Sequence, residues 1–228
     1  MILFLLLILL IVIYAIIQIE IYNSSNYKKE SKKNYFEVRF NAGNYGEYLS
    51  FNKLENIKGC KKILTNVYLP KQNGETTEID LVFIHETGIY AIESKNYSSW
   101  IFGNEKSRYW TQTFPNGRKE KFYNPIMQNN THIKNLAKVL NIDESSIKSV
   151  IVFSERCTLK KITVESQRVK VVNRNNLTRA INGLSSISKE RYGEDKINKI
   201  YLKLKPYTCV SDDVKKKHIN NIRVKNKR

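Results

Sequence analysis

The first 17 residues, Met1 to Ile17, carry no charge, and only Tyr14 interrupts an apolar run that continues through Ile19, Ile21 and Tyr22. A helix rises about 1.5 Å per residue, so a stretch of this length reaches across the roughly 30 Å hydrocarbon layer of a bilayer. A cleaved signal peptide is the competing reading. It requires a basic start and a small-x-small site after a shorter apolar stretch, and neither is visible here. Residues 1–22 are therefore expected to form a transmembrane helix. Lys28, Lys29, Lys32 and Lys33 follow the span and no basic residue precedes it. Because positive flanks stay inside, the expected location is a bacterial cell membrane, single-pass, with the soluble part in the cytoplasm. Cys60, Cys157 and Cys209, odd in number and widely spaced, suit reduced thiols.

A chain of 228 residues has room for one ordinary domain with appendages. A composition of 41% hydrophobic and 26% charged residues lies in the globular range. The formal net charge of +18 favours polyanions, either nucleic-acid phosphates or the anionic inner leaflet. Lys215, Lys216, Lys217, Arg223, Lys225, Lys227 and Arg228 concentrate that charge in residues 211–228, read as a solvated basic tail. A general lysine bias of the chain is the bland alternative. Residues 23–40, polar and basic without periodicity, read as a juxtamembrane linker able to touch anionic lipid, as the tail is.

Beyond the linker, Tyr48, Phe51, Leu54 and Ile57 stand near helical spacing, with Asn44 as cap and Gly59 past the end. Lys62–Leu69 is a strand candidate stopped by Pro70. Glu78–Ile84 and Ile89–Lys95 follow, joined by His85, Glu86, Thr87 and Gly88 as a hairpin. Ile79, Leu81, Phe83, Tyr90 and Ile92 fill one face of that hairpin, and Val82, Ile84, Ile89 and Ala91 the other, which places it in the middle of a covered sheet. Shorter strands are expected at Trp100–Phe102 and Arg108–Thr113. A second helix is capped by Asn124 with Pro125 at its first position. Ile147–Phe153 and Val169–Val172 are further strands, and Ile197–Leu204 closes a last helix.

If the hairpin is symmetric about its loop, Ile84 pairs with Ile89, Asp80 lies opposite Glu93, and Glu78 lies opposite Lys95. Alternation then puts Asp80, Glu93 and Lys95 on one face. Two opposed carboxylates in an apolar sheet repel each other and resist desolvation, so a cation is expected between them. Mg²⁺ or Mn²⁺ suits the oxygen ligands. Lys95 would then hold or help deprotonate water and stabilise charge on phosphorus. A purely structural ion network is the other reading of this triplet.

The ordered set Gly46-Glu47, Thr77-Glu78-Ile79-Asp80, Glu93-Ser94-Lys95-Asn96-Tyr97, Gly103, Trp110, Gln112 and Asn124-Pro125-Ile126-Met127-Gln128-Asn129 resembles the nuclease-related domain (NERD) family. The resemblance covers residues 42–153. It implies an α/β fold with the restriction-endonuclease-like core of the PD-(D/E)xK superfamily, in the order α-β-β-β-α-β, a central mixed sheet flanked by helices. It also implies that Asp80 and Glu93 are metal carboxylates, the Ser94 carbonyl a third ligand and Lys95 the catalytic lysine. Glu47 matches a first-helix acid that assists the metal, and Gln128 a polar position on the helix behind the site. Exposed polar residues on helix surfaces are the plainer reading of both. Residues 41–153 are expected as the nuclease-like domain and residues 154–210 as an extension packing on or near it.

The three histidines are too dispersed for a zinc motif, His85 reads as a solvated turn residue, and no phosphate-binding glycine loop occurs. Trp100, Trp110 and Tyr109 suit either base stacking or a core. The expected function is a membrane-anchored, metal-dependent nuclease acting on DNA. The alternative is a catalytically silent module binding nucleic acid or a partner at the membrane, since fold does not dictate activity.

Overall fold

The computed structural model describes residues 1–208 and 210–226, with side chains described through Asn221. Cys209 and the tail side chains of Arg223, Lys225, Lys227 and Arg228 lie outside the described residues. The apolar run forms α1 (Ile2–Ser24), long and apolar enough to cross a membrane. Its side chains through Ile17 stand exposed, whereas Tyr22 in its last turn is buried.

Residues 23–40, expected as a basic juxtamembrane linker, form α2 (Asn26–Ser31) and α3 (Tyr35–Phe40). The Ser25 and Asn34 side chains cap these helices by accepting from the Lys28 and Glu37 N–H groups. Tyr22, Tyr27 and Val38 are buried in the main core. Tyr27 meets Tyr48 and Phe51 edge to face, each with ring centroids 5.3 Å apart. Six-residue helices are too short to display an apolar period, so single anchoring side chains escape a search for periodicity.

The next helix, α4 (Ala42–Glu55), starts two residues before the expected cap because the Asn41 side chain caps it by accepting from the Asn44 N–H. There follow β1 (Lys61–Pro70), β2 (Thr76–His85), β3 (Gly88–Lys95), β4 (Ser99–Asn104), β5 (Tyr109–Thr113), β6 (Lys119–Tyr123), α5 (Pro125–Leu140), β7 (Ile147–Phe153), β8 (Cys157–Thr163), β9 (Val169–Asn173), α6 (Leu177–Ser186), α7 (Glu194–Leu204) and α8 (Asp212–Asn226). The central sheet has the order β1-β2-β3-β7-β9, with β1, β2 and β3 antiparallel and β7 and β9 parallel to β3. The expected α-β-β-β-α-β order is α4, β1, β2, β3, α5, β7. Between β3 and α5 the chain inserts β4, β5 and β6, which β8, following β7, joins in a second mixed sheet of order β6-β5-β4-β8.

Ile84 pairs with Ile89 as expected, and His85 also pairs with Gly88, so the turn is only Glu86-Thr87. Gly88 takes the positive φ (124°) that closes it. His85 is buried rather than solvated, its ring bonded to the Lys58 carbonyl and the Thr87 hydroxyl, both at 2.8 Å.

Helices cover both faces of the central sheet. Leu81, Phe83, Tyr90 and Ile92 pack with α4 and α6, and Val82, Ile84, Ile89 and Ala91 with α5 and α7. Each buried Val, Leu, Ile or Phe side chain among them contributes about 1.5–3 kcal/mol over leaving it exposed. Ile79, expected beside Leu81, lies in the opposite layer. Strand alternation breaks at Asp80: the β1–β2 register runs from Thr65↔Leu81 to Val67↔Ile79, passing over Asn66, which sits at φ 49° in the left-handed region.

Candidate active site

The β2–β3 ladder ends at Leu81↔Ile92. One step further, the same register sets Asp80 against Glu93. Instead of a backbone pair, Asp80 Oδ2 accepts the Ser94 N–H at 2.7 Å. The strand break therefore turns the Asp80 carboxylate toward the end of β3, where Glu93 and Lys95 stand.

Glu93 is only 2% exposed. Its Oε1 accepts from Lys95 Nζ and from Gln128 Nε2, each at 2.7 Å, and its Oε2 accepts from His132 Nε2 at 3.0 Å. Lys95 Nζ also donates to Gln128 Oε1 at 2.8 Å, which closes a triangle of Glu93, Lys95 and Gln128. Gln128 and His132 are four residues apart on α5, so they share one helix face. The other ring nitrogen of His132 meets the Thr77 hydroxyl at 2.7 Å.

Local sequence explains why α5 lies there. The Asn124 side chain caps it at Ile126 N–H and donates to the carbonyls of Asn104, Glu105 and Ser107, tying the helix start to the β4–β5 turn. One turn on, Asn129 donates to the Ala91 carbonyl and to Ser149, which holds α5 against the sheet. On the opposite side α4 approaches β3 through Gly46, where a Cβ would stand 3.3 Å from Arg174 Nη2 and 3.6 Å from Ser94 Oγ.

Glu47, next to Gly46, accepts from Asn66 Nδ2 at 3.2 Å and pairs with Lys33 at 3.7 Å. Asn66 Nδ2 also donates to Glu78 at 3.1 Å. Glu78, expected beside Lys95, faces Asn66 and, at 3.7 Å, His218 of α8. The break in alternation at Asp80 moves it off the Lys95 row. The site thus gathers Asp80, Glu93, Lys95 and Gln128, while Asn66 links Glu47 to Glu78 beside it. His132 and Thr77 support Glu93 and went unrecognised in the sequence, although the four-residue step from Gln128 to His132 was the available signal.

Residues 42–154 match the family model described as nuclease-related domain. An uncharacterized protein of Bacillus anthracis is 33% identical over 157 residues, spanning 69% of this chain and 72% of that one. The chain belongs to the nuclease-related domain family. Among solved structures, the crystal structure of a protein of unknown function covers 82% of this chain and 100% of its own, at 14% identity and a TM-score of 0.33.

In this nuclease-related domain the electrostatics divide the acids. Burial alone would raise Glu93, but the Lys95 charge and His132 outweigh it and hold the carboxyl down to about 2. Burial would depress Lys95, yet Glu93 beside it raises the ammonium above its usual value. Asp80 goes the other way: burial, then the Glu93 and Glu47 charges, push it well above the carboxylate range. Burial also pushes Glu47 up to about 7, with Glu78 and Glu93 adding to the effect and Lys33 opposing it.

Lys95 pairs with Glu93 and Lys33 with Glu47, whereas Asp80 has no ion-pair partner among the described residues, and the carboxylates offer oxygen donors only. That chemistry fits a hard divalent cation. Among the described residues no three His, Cys, Asp or Glu side chains form a ready-made cage. A site using two carboxylates and completed by backbone, water and phosphate oxygens matches the habit of Mg²⁺, which retains waters and takes one or two carboxylates.

Proposed function

We propose that this protein is a divalent-metal-dependent nuclease that hydrolyses phosphodiester bonds of DNA, anchored by α1 with its domain at the cytoplasmic face of the membrane. The observation that carries the reading is the convergence of Asp80, Glu93 and Lys95 at the point where β2 and β3 separate. In this reading Asp80, Glu93 and the Ser94 carbonyl hold Mg²⁺ or Mn²⁺. The ion, when bound, supplies a water of lowered pKa and a Lewis acid for the phosphoryl oxygen.

Lys95 is held protonated by Glu93, so it acts as a hydrogen-bond donor to developing negative charge rather than as a base. Gln128 fixes Lys95 and Glu93 relative to each other, and His132, oriented by Thr77, fixes the second Glu93 oxygen. Glu47 adds acidic charge from α4. The net charge of +18 favours approach of a polyanion, and Lys28, Lys29, Lys32 and Lys33 after α1 support the cytoplasmic orientation and contact with anionic lipid.

A second reading, a catalytically silent module that binds nucleic acid at the membrane, is favoured by one observation. Both Glu93 oxygens and the Lys95 ammonium are already engaged by protein partners. The two readings separate in one assay with the full chain in detergent micelles. A nuclease converts supercoiled DNA to nicked or linear product with Mg²⁺ or Mn²⁺, and Asp80→Ala and Lys95→Ala abolish the product. A silent module binds DNA with salt-sensitive affinity and yields no product with either ion.

A further inference from the structure

The inserted sheet has one covered and one open face. Ile101, Trp110 and Gln112 point inward and are buried. The alternate positions point out: Trp100 and Phe102 on β4 are 40% and 37% exposed, and Tyr109 on β5 is 51% exposed. Register puts these rings in one array with cations. Trp100 lies across from Thr113, which lies across from Lys119, and Phe102 lies across from Thr111, which lies across from Lys121. On the other flank, Lys160 of β8 places its Nζ 5.5 Å from the Trp100 ring centroid.

None of the outward positions of these four strands before the Thr163 end is acidic; Glu120 alternates to the other side of β6 and pairs with Arg118. Several exposed rings side by side are more than the scattered apolar residues of an ordinary surface. An all-basic surround selects a polyanion. A flat sheet offers ring faces for stacking, whereas a membrane-inserting surface projects its apolar groups from a loop tip or helix. Location agrees: Trp100 is five residues beyond Lys95, at most about 18 Å of extended chain.

We propose that the open face of the inserted sheet binds single-stranded nucleic acid, stacking unpaired bases on Trp100, Phe102 and Tyr109 while Lys119, Lys121 and Lys160 follow the phosphates. This deepens the nuclease reading and rests on it for the class of ligand. The face would deliver an unpaired strand toward the end of β3.

The test uses the full chain in zwitterionic nanodiscs, in chelator, with labelled oligothymidylate and fluorescence anisotropy. Without metal no cleavage is measured, so failure of the nuclease reading and failure of this one are distinguishable. Trp100→Ala and Tyr109→Ala should each weaken binding about 5- to 150-fold. Lys121→Ala should reduce the slope of log affinity against log salt by about 0.7. The chain has 2 Trp and Trp110 is buried, so oligothymidylate should quench Trp100 emission in the unaltered protein, independently of any variant's folding. Undiminished binding by the folded Trp100→Ala, Tyr109→Ala double variant, or saturation without quenching, overturns the proposal. A Trp100 response to anionic nanodisc lipid but not to oligothymidylate also overturns it and assigns the face to the membrane.

Discussion

His132 Nε2 donates to Glu93 Oε2 across 3.0 Å, and both side chains are almost fully withdrawn from solvent. Lys95 and His132 together overcome the burial that would raise Glu93 and hold its carboxyl down to about 2. A depressed acid contributes stability above its unfolded value, about 4.3, that is lost as pH falls toward the folded value. His132→Ala should therefore shift the acid-unfolding midpoint to higher pH and cost about 1–3 kcal/mol near neutrality. His132→Gln, which can still donate, should recover part of both. Circular dichroism during acid titration reads the midpoint; an unchanged midpoint in His132→Ala would show that this contact does not set Glu93.

Lys95→Ala should lower metal-dependent cleavage by about 10²-fold or more while the domain stays folded, because one donor to developing charge is worth that much. Gln128→Ala should lower it less, since Gln128 touches the lysine and the carboxylate without reaching the phosphate in this reading. Single-turnover cleavage with the far-ultraviolet spectrum of each variant checks both; equal rates for Lys95→Ala and parent end the catalytic assignment.

Glu47 makes the metal-free protein pH-sensitive in the opposite sense. Its folded value of about 7 lies above the unfolded one, so its contribution is complete below the unfolded pKa and is lost as pH rises through about 7. The loss is on the order of 3 kcal/mol over that window. Glu47→Gln should flatten this decline, as measured by urea melts in chelator at acidic and neutral pH. A slope identical to the parent's would remove Glu47 from the buried acidic group.

Gly103 should not tolerate a side chain. A Cβ there would lie inside the van der Waals envelope of the Trp110 indole, which is fully buried and also bonded through Nε1 to the Asn104 carbonyl. Gly103→Ala should cost about 1–3 kcal/mol through overpacking, read from the denaturant midpoint and a red shift of Trp110 emission.

Truncation should show where α1 stops being an appendage. Removing residues 1–17, whose side chains are exposed, should leave the melting temperature of the remainder unchanged. Removing residues 1–34 also takes out Tyr22 and Tyr27, and loss of each buried ring should cost about 3–5 kcal/mol. Calorimetry of the two fragments in detergent decides it.

The parts of the fold around the site were legible because their signals are local. Apolar alternation in Glu78–Ile84 and Ile89–Lys95, and the Asn124-Pro125 start of α5, each depend on neighbours a few residues away. β6 and β8 were missed because charged residues interrupt their apolar alternation, Lys119, Glu120 and Lys121 in β6 and Lys160 and Lys161 in β8. α6 was missed although Leu177, Ala180, Ile181 and Leu184 repeat at helical spacing.

By itself, then, the sequence determined which chemical groups were available, the order of the elements that carry them, and the length of apolar chain preceding the domain. Those properties follow from covalent neighbours and from periods of two and 3.6 residues. Tertiary structure alone decided that His132 supports Glu93, that Glu78 turns to Asn66 and His218 instead of Lys95, and that Tyr22 and Tyr27 belong to the core. These contacts join residues far apart in the chain, and for Glu78 the physical reason is the kink shared by Asn66 and Asp80. A break in strand alternation exchanges the faces of every residue beyond it, and whether the chain adopts it depends on the helices packed on each side.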